Sequence, residues 1–162
     1  MKIFKNFNIS KKYKNSAIAI GNFDGFHLGH KRVLKTGKYI AKKNKIKFGL
    51  LVFHPLPVMF FNKKIKNFRI DSLKQKIESS KKLGIDFLII KKFDKNFSKT
   101  NAENFIEKVL HRKLKAKFIF ISKNFKFGKN RAGNINLLKR KEIFYNYKTQ
   151  TVSPLNKRKK II

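Results

Sequence analysis

Ala17-Ile18-Ala19-Ile20-Gly21-Asn22-Phe23-Asp24-Gly25-Phe26-His27-Leu28-Gly29-His30 runs from an apolar strand, through a glycine-punctuated turn, into a helix expected over 28–43. A strand feeding a helix in this way leaves unpaired N–H groups and the positive end of the helix dipole at the turn, an arrangement that suits a bound phosphate. Gly21, Gly25 and Gly29 would let backbone approach such a ligand with no Cβ in the way. His27 and His30 would stand at its edge, donating to phosphate oxygens and, when protonated, stabilising charge on a leaving phosphate. The ordinary alternative is a His-x-x-His pair that packs or faces solvent. A zinc site is a third reading, but the chain has no cysteine, and His54 and His111 lie at no ligand spacing.

Outward from this stretch, strand-like runs at 17–21, 47–53, 86–90 and 117–122 alternate with helix-like stretches at about 28–43, 72–83 and 101–113. That rhythm predicts an α/β fold, an open parallel sheet flanked by helices in the Rossmann manner. Leu50-Leu51-Val52-Phe53 and Phe87-Leu88-Ile89-Ile90 are apolar without alternation, as strands buried on both faces should be. Gly84 reads as a helix C-cap, Asn101 as an N-cap, and Phe105, Ile106, Val109 and Leu110 as a buried stripe. Residues 1–16 read as an edge element or extended lead-in, with one main domain over 17–162.

With 162 residues the chain is one domain's worth, and its 41% hydrophobic residues suffice for a core. The absence of cysteine excludes disulfides, iron–sulfur ligation and cysteine catalysis. The start carries no apolar leader segment and no apolar run approaches membrane-spanning length, so the expectation is a soluble, cytoplasmic protein without a membrane partner. A net charge of +34 ordinarily suggests nucleic acid. Here Lys (36), Ile (19), Phe (18) and Asn (16) fill 89 of the 162 positions, all with A/T-rich codons, and the lysines are spread along the whole chain. The charge then reads as base bias, with weak general affinity for polyanions and no specific nucleic-acid partner.

In an open parallel sheet the ligand crevice lies beyond the carboxyl ends of the strands. Three stretches are expected there. The first is the histidine turn, with Gly21, Asn22, Phe23, Asp24, Gly25, His27, Gly29 and His30 as candidates. The second is Val52-Phe53-His54-Pro55-Leu56-Pro57, where a stiff connection and a binding loop are equal readings. The third is Asn124-Phe125-Lys126-Phe127-Gly128-Lys129-Asn130-Arg131-Ala132-Gly133-Asn134, which could wall a flat ring system, although paired Phe at that spacing more often belong to a core.

These stretches, in this order, resemble the adenylyltransferase domain of bacterial bifunctional riboflavin kinase/FAD synthetases, of the nucleotidylyltransferase superfamily. Gly21-Asn22-Phe23-Asp24-Gly25-Phe26-His27-Leu28-Gly29-His30 is similar to the family's first signature, and Lys82-Leu83-Gly84-Ile85-Asp86 and the 93–106 segment resemble two further ones. The resemblance implies transfer of AMP from ATP to FMN, giving FAD and pyrophosphate, with Mg²⁺ bridging the phosphates. It implies His27 and His30 as catalytic residues on the ATP phosphates, and Pro55, Phe125, Phe127, Gly128 and Asn130 on the flavin side, with no protein-held metal. Departures accompany it. The family's Thr-Phe-x-Pro-His-Pro is answered by Val52, His54 and Leu56, and its Gly-x-Asp-Phe-x-Phe-Gly by Ser122 and Asn124. Its Ser-Ser-Thr-x-x-Arg element and riboflavin kinase domain are not found before Ile162, so the expectation is a truncated form, with a second polypeptide as one source of the remainder. A nucleotide-binding remnant, an adenylyltransferase for another phosphate acceptor and a basic nucleic-acid module are the competing readings.

Overall fold

The computed structural model describes residues 1–23, 28–62 and 72–151, with only the backbone of Leu28 and Gly29. Six strands form one parallel sheet: β1 (Lys2–Phe4), β2 (Ala17–Ile20), β3 (Phe48–His54), β4 (Phe87–Lys92), β5 (Phe118–Ile121) and β6 (Lys148–Thr151), in the spatial order β1-β4-β3-β2-β5-β6. The helices between them are α1 (Leu28–Lys43), α2 (Pro57–Phe61), α3 (Leu73–Lys82), α4 (Lys95–Ser98), α5 (Ala102–Asn104) and α6 (Ile135–Tyr145). Beyond α5 the chain continues without a break as a wider-wound helix over Phe105–Lys113, where Leu114 N–H donates to Val109 O five residues back. The stripe Phe105, Ile106, Val109 and Leu110 is buried as expected. Its spacing does not reveal the winding, because i→i+4 and i→i+5 turns both put those four residues on one side.

The four strands read from the sequence occupy the middle of the sheet, and the edge element within 1–16 is β1, paired with β4. The other edge, β6, and its helix α6 carry no strong apolar periodicity: Lys148 and Gln150 face solvent. Central strands lose both faces to helices, so their side chains disappear: Ala17 through Ile20, Leu50, Leu51, Phe87, Leu88 and Ile89 are at most 2% exposed. A fully buried Phe or Leu of this kind contributes about 1.5–3 kcal/mol. Two cores result. On one face, Val33 and Leu34 of α1 and partly buried Leu73 and Ile77 of α3 pack on Ala19, Leu50, Val52 and Leu88. On the other, Phe105, Ile106 and Leu110 with Leu137 and Leu138 of α6 pack on Ile18, Ile20, Leu51 and Ile89.

Caps punctuate the helices where the sequence places them. Asn104 N–H donates to Asn101 Oδ1 at 2.7 Å, and Gly84 follows α3 with φ of 74°. Ser72 forms a capping box with Gln75 at the start of α3. From β2 the chain winds through β3 to β4, then crosses to the other side of β2 to form β5 and β6. The order therefore reverses between β2 and β5. In such sheets the ligand crevice opens at that point, beyond the carboxyl ends of the strands.

Candidate functional site

At the carboxyl end of β2, Gly21 N–H still bonds Leu51 O at 3.2 Å, and the chain leaves the sheet at Asn22, which is exposed. Phe23 turns back into the α1-side core, 3% exposed and with φ of 52°. Its ring meets the His30 ring edge-on, centroids 5.2 Å apart at 60°. That contact sets a half-buried imidazole in the first turn of α1, beside the helix's unpaired amino end. Gly29 lies in the same turn. Asp24, Gly25 and His27 fall outside the described residues.

At the carboxyl end of β5 the chain makes a small hairpin. Phe127 N–H donates to Gly133 O at 3.1 Å and Gly133 N–H returns to Phe127 O at 2.7 Å. The hairpin is anchored to the start of α5 by Lys129 N–H to Thr100 O at 2.8 Å. Its tip exposes Lys129, Asn130 and Arg131, with Asn130 at φ of 58°. Phe125 and Phe127 stack at 5.8 Å and 21°, but not as equals: Phe127 is 8% exposed and packs against Phe105, whereas Phe125 is half-buried. Gly128 is pressed against Ala102 at the start of α5.

The third stretch flanks these two. His54 ends β3 and is half-buried, the His54–Pro55 bond is cis, and Pro57 opens α2. Helix α2 brings in residues that sequence reasoning missed. Phe60 and Phe61 pack edge-on with Phe93, which joins Phe53 and Phe97 in one aromatic group reaching Phe105 and Phe127. Phe61 is 69% exposed at the outer end of that group. The signal was the Phe60-Phe61 pair, which lies just beyond the 52–57 stretch.

The structure thus brings Asn22, Phe23 and His30 and the β5 hairpin to adjacent strand ends, with Pro55 and α2 on the neighbouring β3 end. The arrangement can take an anion at the α1 amino end and a flat apolar group toward Phe125 and the hairpin. Among the described residues, no group of three His, Asp or Glu could hold a metal ion, and no helix is long and apolar enough to cross a membrane.

Comparison with known proteins places this geometry in company. A family model described as FAD synthetase matches residues 9–162. A bifunctional riboflavin kinase/FMN adenylyltransferase of Buchnera aphidicola subsp. Schizaphis graminum is 41% identical over 162 residues, covering 99% of this chain and 52% of that protein. The protein of the same description from Escherichia coli K12 is 30% identical over 149 residues, covering 91% and 48%. The chain spans about half the length of the curated relatives it matches. Among solved structures, one titled a macrolide-efflux protein from Streptococcus pneumoniae superposes with a TM-score of 0.80 at 20% identity, over 98% of this chain and 52% of that one. A pantoate–β-alanine ligase from Francisella tularensis gives 0.59 at 16%, over 100% and 73%. Both likenesses concern the fold.

Proposed function

Because the chain belongs to the FAD synthetase family, we propose that this domain transfers the adenylyl group of ATP to FMN, giving FAD and pyrophosphate. An oxygen of the FMN phosphate attacks the α-phosphorus of ATP in line, the α–β bridging P–O bond breaks, and its electron pair leaves on pyrophosphate. No protein nucleophile is needed, so positioning and charge stabilisation carry the catalysis. The observation that carries the reading is His30 held by Phe23 in the first turn of α1, at the strand end next to the chain reversal.

In this reading the amino end of α1 and His30 take the ATP phosphates, and His27 joins them from the turn. Both favour the charge that builds on the bridging oxygen as the bond breaks. The flavin ring lies toward Phe125, Gly128 and Asn130, with Pro55 on the β3 side. Phe127 supports this wall from the core and does not face the ligand. Exposed Lys129 and Arg131 make the rim attractive to anionic substrates. Mg²⁺ enters with ATP as part of the substrate. The setting is the cytoplasm, and FMN comes from a riboflavin kinase, on a second polypeptide or a further domain. A second reading, nucleotide binding without turnover, draws on Ser122 and Asn124 standing where the family's loop carries a carboxylate.

Incubation with FMN, ATP and Mg²⁺ is expected to yield FAD and pyrophosphate in equal amounts. His30→Ala should lower the rate by about 10²–10³ while leaving FMN affinity within about threefold. Saturable ATP binding with no FAD would select the second reading, and neither FAD nor bound nucleotide would overturn both.

A further inference from the structure

The tip of the β5 hairpin is held at both ends, and those two points fix what it lies over. The chain leaves the sheet at the carboxyl end of β5, and Lys129 N–H donates to Thr100 O at 2.8 Å, in the segment that follows β4 and α4. In the sheet order β4-β3-β2-β5, two strands stand between those exits. At about 4.8 Å between neighbouring strands the span is about 14 Å, which the eight residues from Ile121 to Lys129 cover with length to spare. The tip therefore crosses the carboxyl edge past the end of β2 toward those of β3 and β4, on the face where Phe127 packs.

At the tip, Asn130 and Arg131 take φ of 58° and 55°, and among the described residues they alone are successive non-glycine residues at positive φ. Lys45, Lys115 and Asn146 reach positive φ just past helix ends, an ordinary way to stop a helix. Asn tolerates this backbone; for a long side chain such as Arg it is uncommon. It is kept here by Arg131 N–H to Gly128 O at 3.0 Å and Gly133 N–H to Phe127 O at 2.7 Å. The guanidinium itself is left over. Arg131 is exposed and its side chain has no hydrogen bond or ion pair among the described residues, whereas Arg112 pairs with Glu107 at 3.0 Å. Arg32 and Arg140 lie on helices, so Arg131 is the described arginine that the hairpin carries over the crevice.

We infer that Arg131 is a specificity-determining residue that takes the phosphate of FMN; the inference rests on the adenylyl-transfer reading. The hairpin stands on the flavin side, and the phosphate is the group that distinguishes FMN from riboflavin. A guanidinium offers a phosphate two parallel N–H bonds in a fixed plane, which an ammonium does not. Two oxygens held in this way leave the third to attack the α-phosphorus of ATP, whose phosphates lie toward His30 and the amino end of α1.

The test is fluorescence titration with FMN and with riboflavin, which lacks the phosphate, and calorimetric titration with a non-hydrolysable ATP analogue and Mg²⁺. The proteins are the wild type, Arg131→Gln, Arg131→Gly, Arg131→Lys and the exposed control Arg140→Gln. Arg131→Gln should weaken FMN by about tenfold or more, with riboflavin and the ATP analogue within about threefold. Arg131→Gly removes the guanidinium but suits the positive φ, so it should lose FMN to a like degree while melting within about 4 °C of wild type. Arg131→Lys should recover part of the loss through its charge, and Arg140→Gln should change no affinity. FMN unchanged within about threefold, riboflavin weakened as much as FMN, or a loss confined to the ATP analogue would overturn the inference and leave the adenylyl-transfer reading standing. A wild type that makes no FAD and binds neither FMN nor the ATP analogue overturns both.

Discussion

Replacing Gly128 by Ala probes the joint between the β5 hairpin and the start of α5. Gly128 holds φ of 78° and ψ of 170°, a region that only glycine occupies without strain, and an L side chain there costs about 1–3 kcal/mol. A Cβ at this position would also stand 2.6 Å from the Cα and N of Ala102 and 2.8 Å from its Cβ. Those atoms cannot yield like the end of a long side chain. They belong to the first turn of α5, fixed by the Asn101 cap at 2.7 Å and by the Lys129 to Thr100 bond at 2.8 Å. Overpacking against backbone adds about 1–3 kcal/mol, so the combined cost is about 4 kcal/mol. For a chain of this size that corresponds to a fall of about 8–16 °C in melting temperature. Because the strain is relieved by moving the hairpin off α5, FMN affinity should drop by about tenfold while ATP affinity stays within about threefold. Thermal melts followed by circular dichroism and FMN fluorescence titrations measure the two effects. A melting temperature within 2 °C of wild type, as an order-of-magnitude threshold, together with unchanged FMN affinity, would refute the reasoning.

Two further substitutions test the scaffold around the site. Tyr147 is 4% exposed and donates its hydroxyl to Leu138 O at 2.5 Å; burial first, then Glu142 and Tyr145, pushes its phenol well above the usual value. A raised folded pKa means stability is fully present below the unfolded value near 10 and is lost as pH climbs above it, by about 1.4 kcal/mol per pH unit. Tyr147→Phe should cost about 1 kcal/mol at pH 7 and remove this residue's share of the alkaline fall, read from urea melts between pH 7 and 11. Asn101→Ala deletes the α5 cap and should cost about 1 kcal/mol in the same melts, with no change in ATP affinity.

Much of this fold is legible in the order of residues because it rests on local chemistry. Unalternating runs such as Leu50 to Phe53 declare strands covered on both faces, Asn101 declares a helix start and Gly84 a helix end. The edge strand β6 escaped that reading for an equally physical reason. Lys148 to Thr151 buries too little to leave an apolar pattern, and its place comes from pairing with β5 and from the Thr149 N–H bond to the Glu142 carboxylate of α6. The site divides the same way. Spacing proposes His30, Phe125 and Phe127 as a group, but packing decides that Phe127 is core while Phe125 is only half-buried, since the burial of Phe127 depends on Phe105, which comes from another segment. Lys76 is the extreme case, one lysine among 36, buried while Lys74 beside it in the sequence is exposed. By itself the sequence determined the parallel α/β layering and the family, because each is written in short-range periodicity and motif. The tertiary structure alone decided which aromatic ring is core and which lysine is buried, because solvent is excluded by residues distant in the chain.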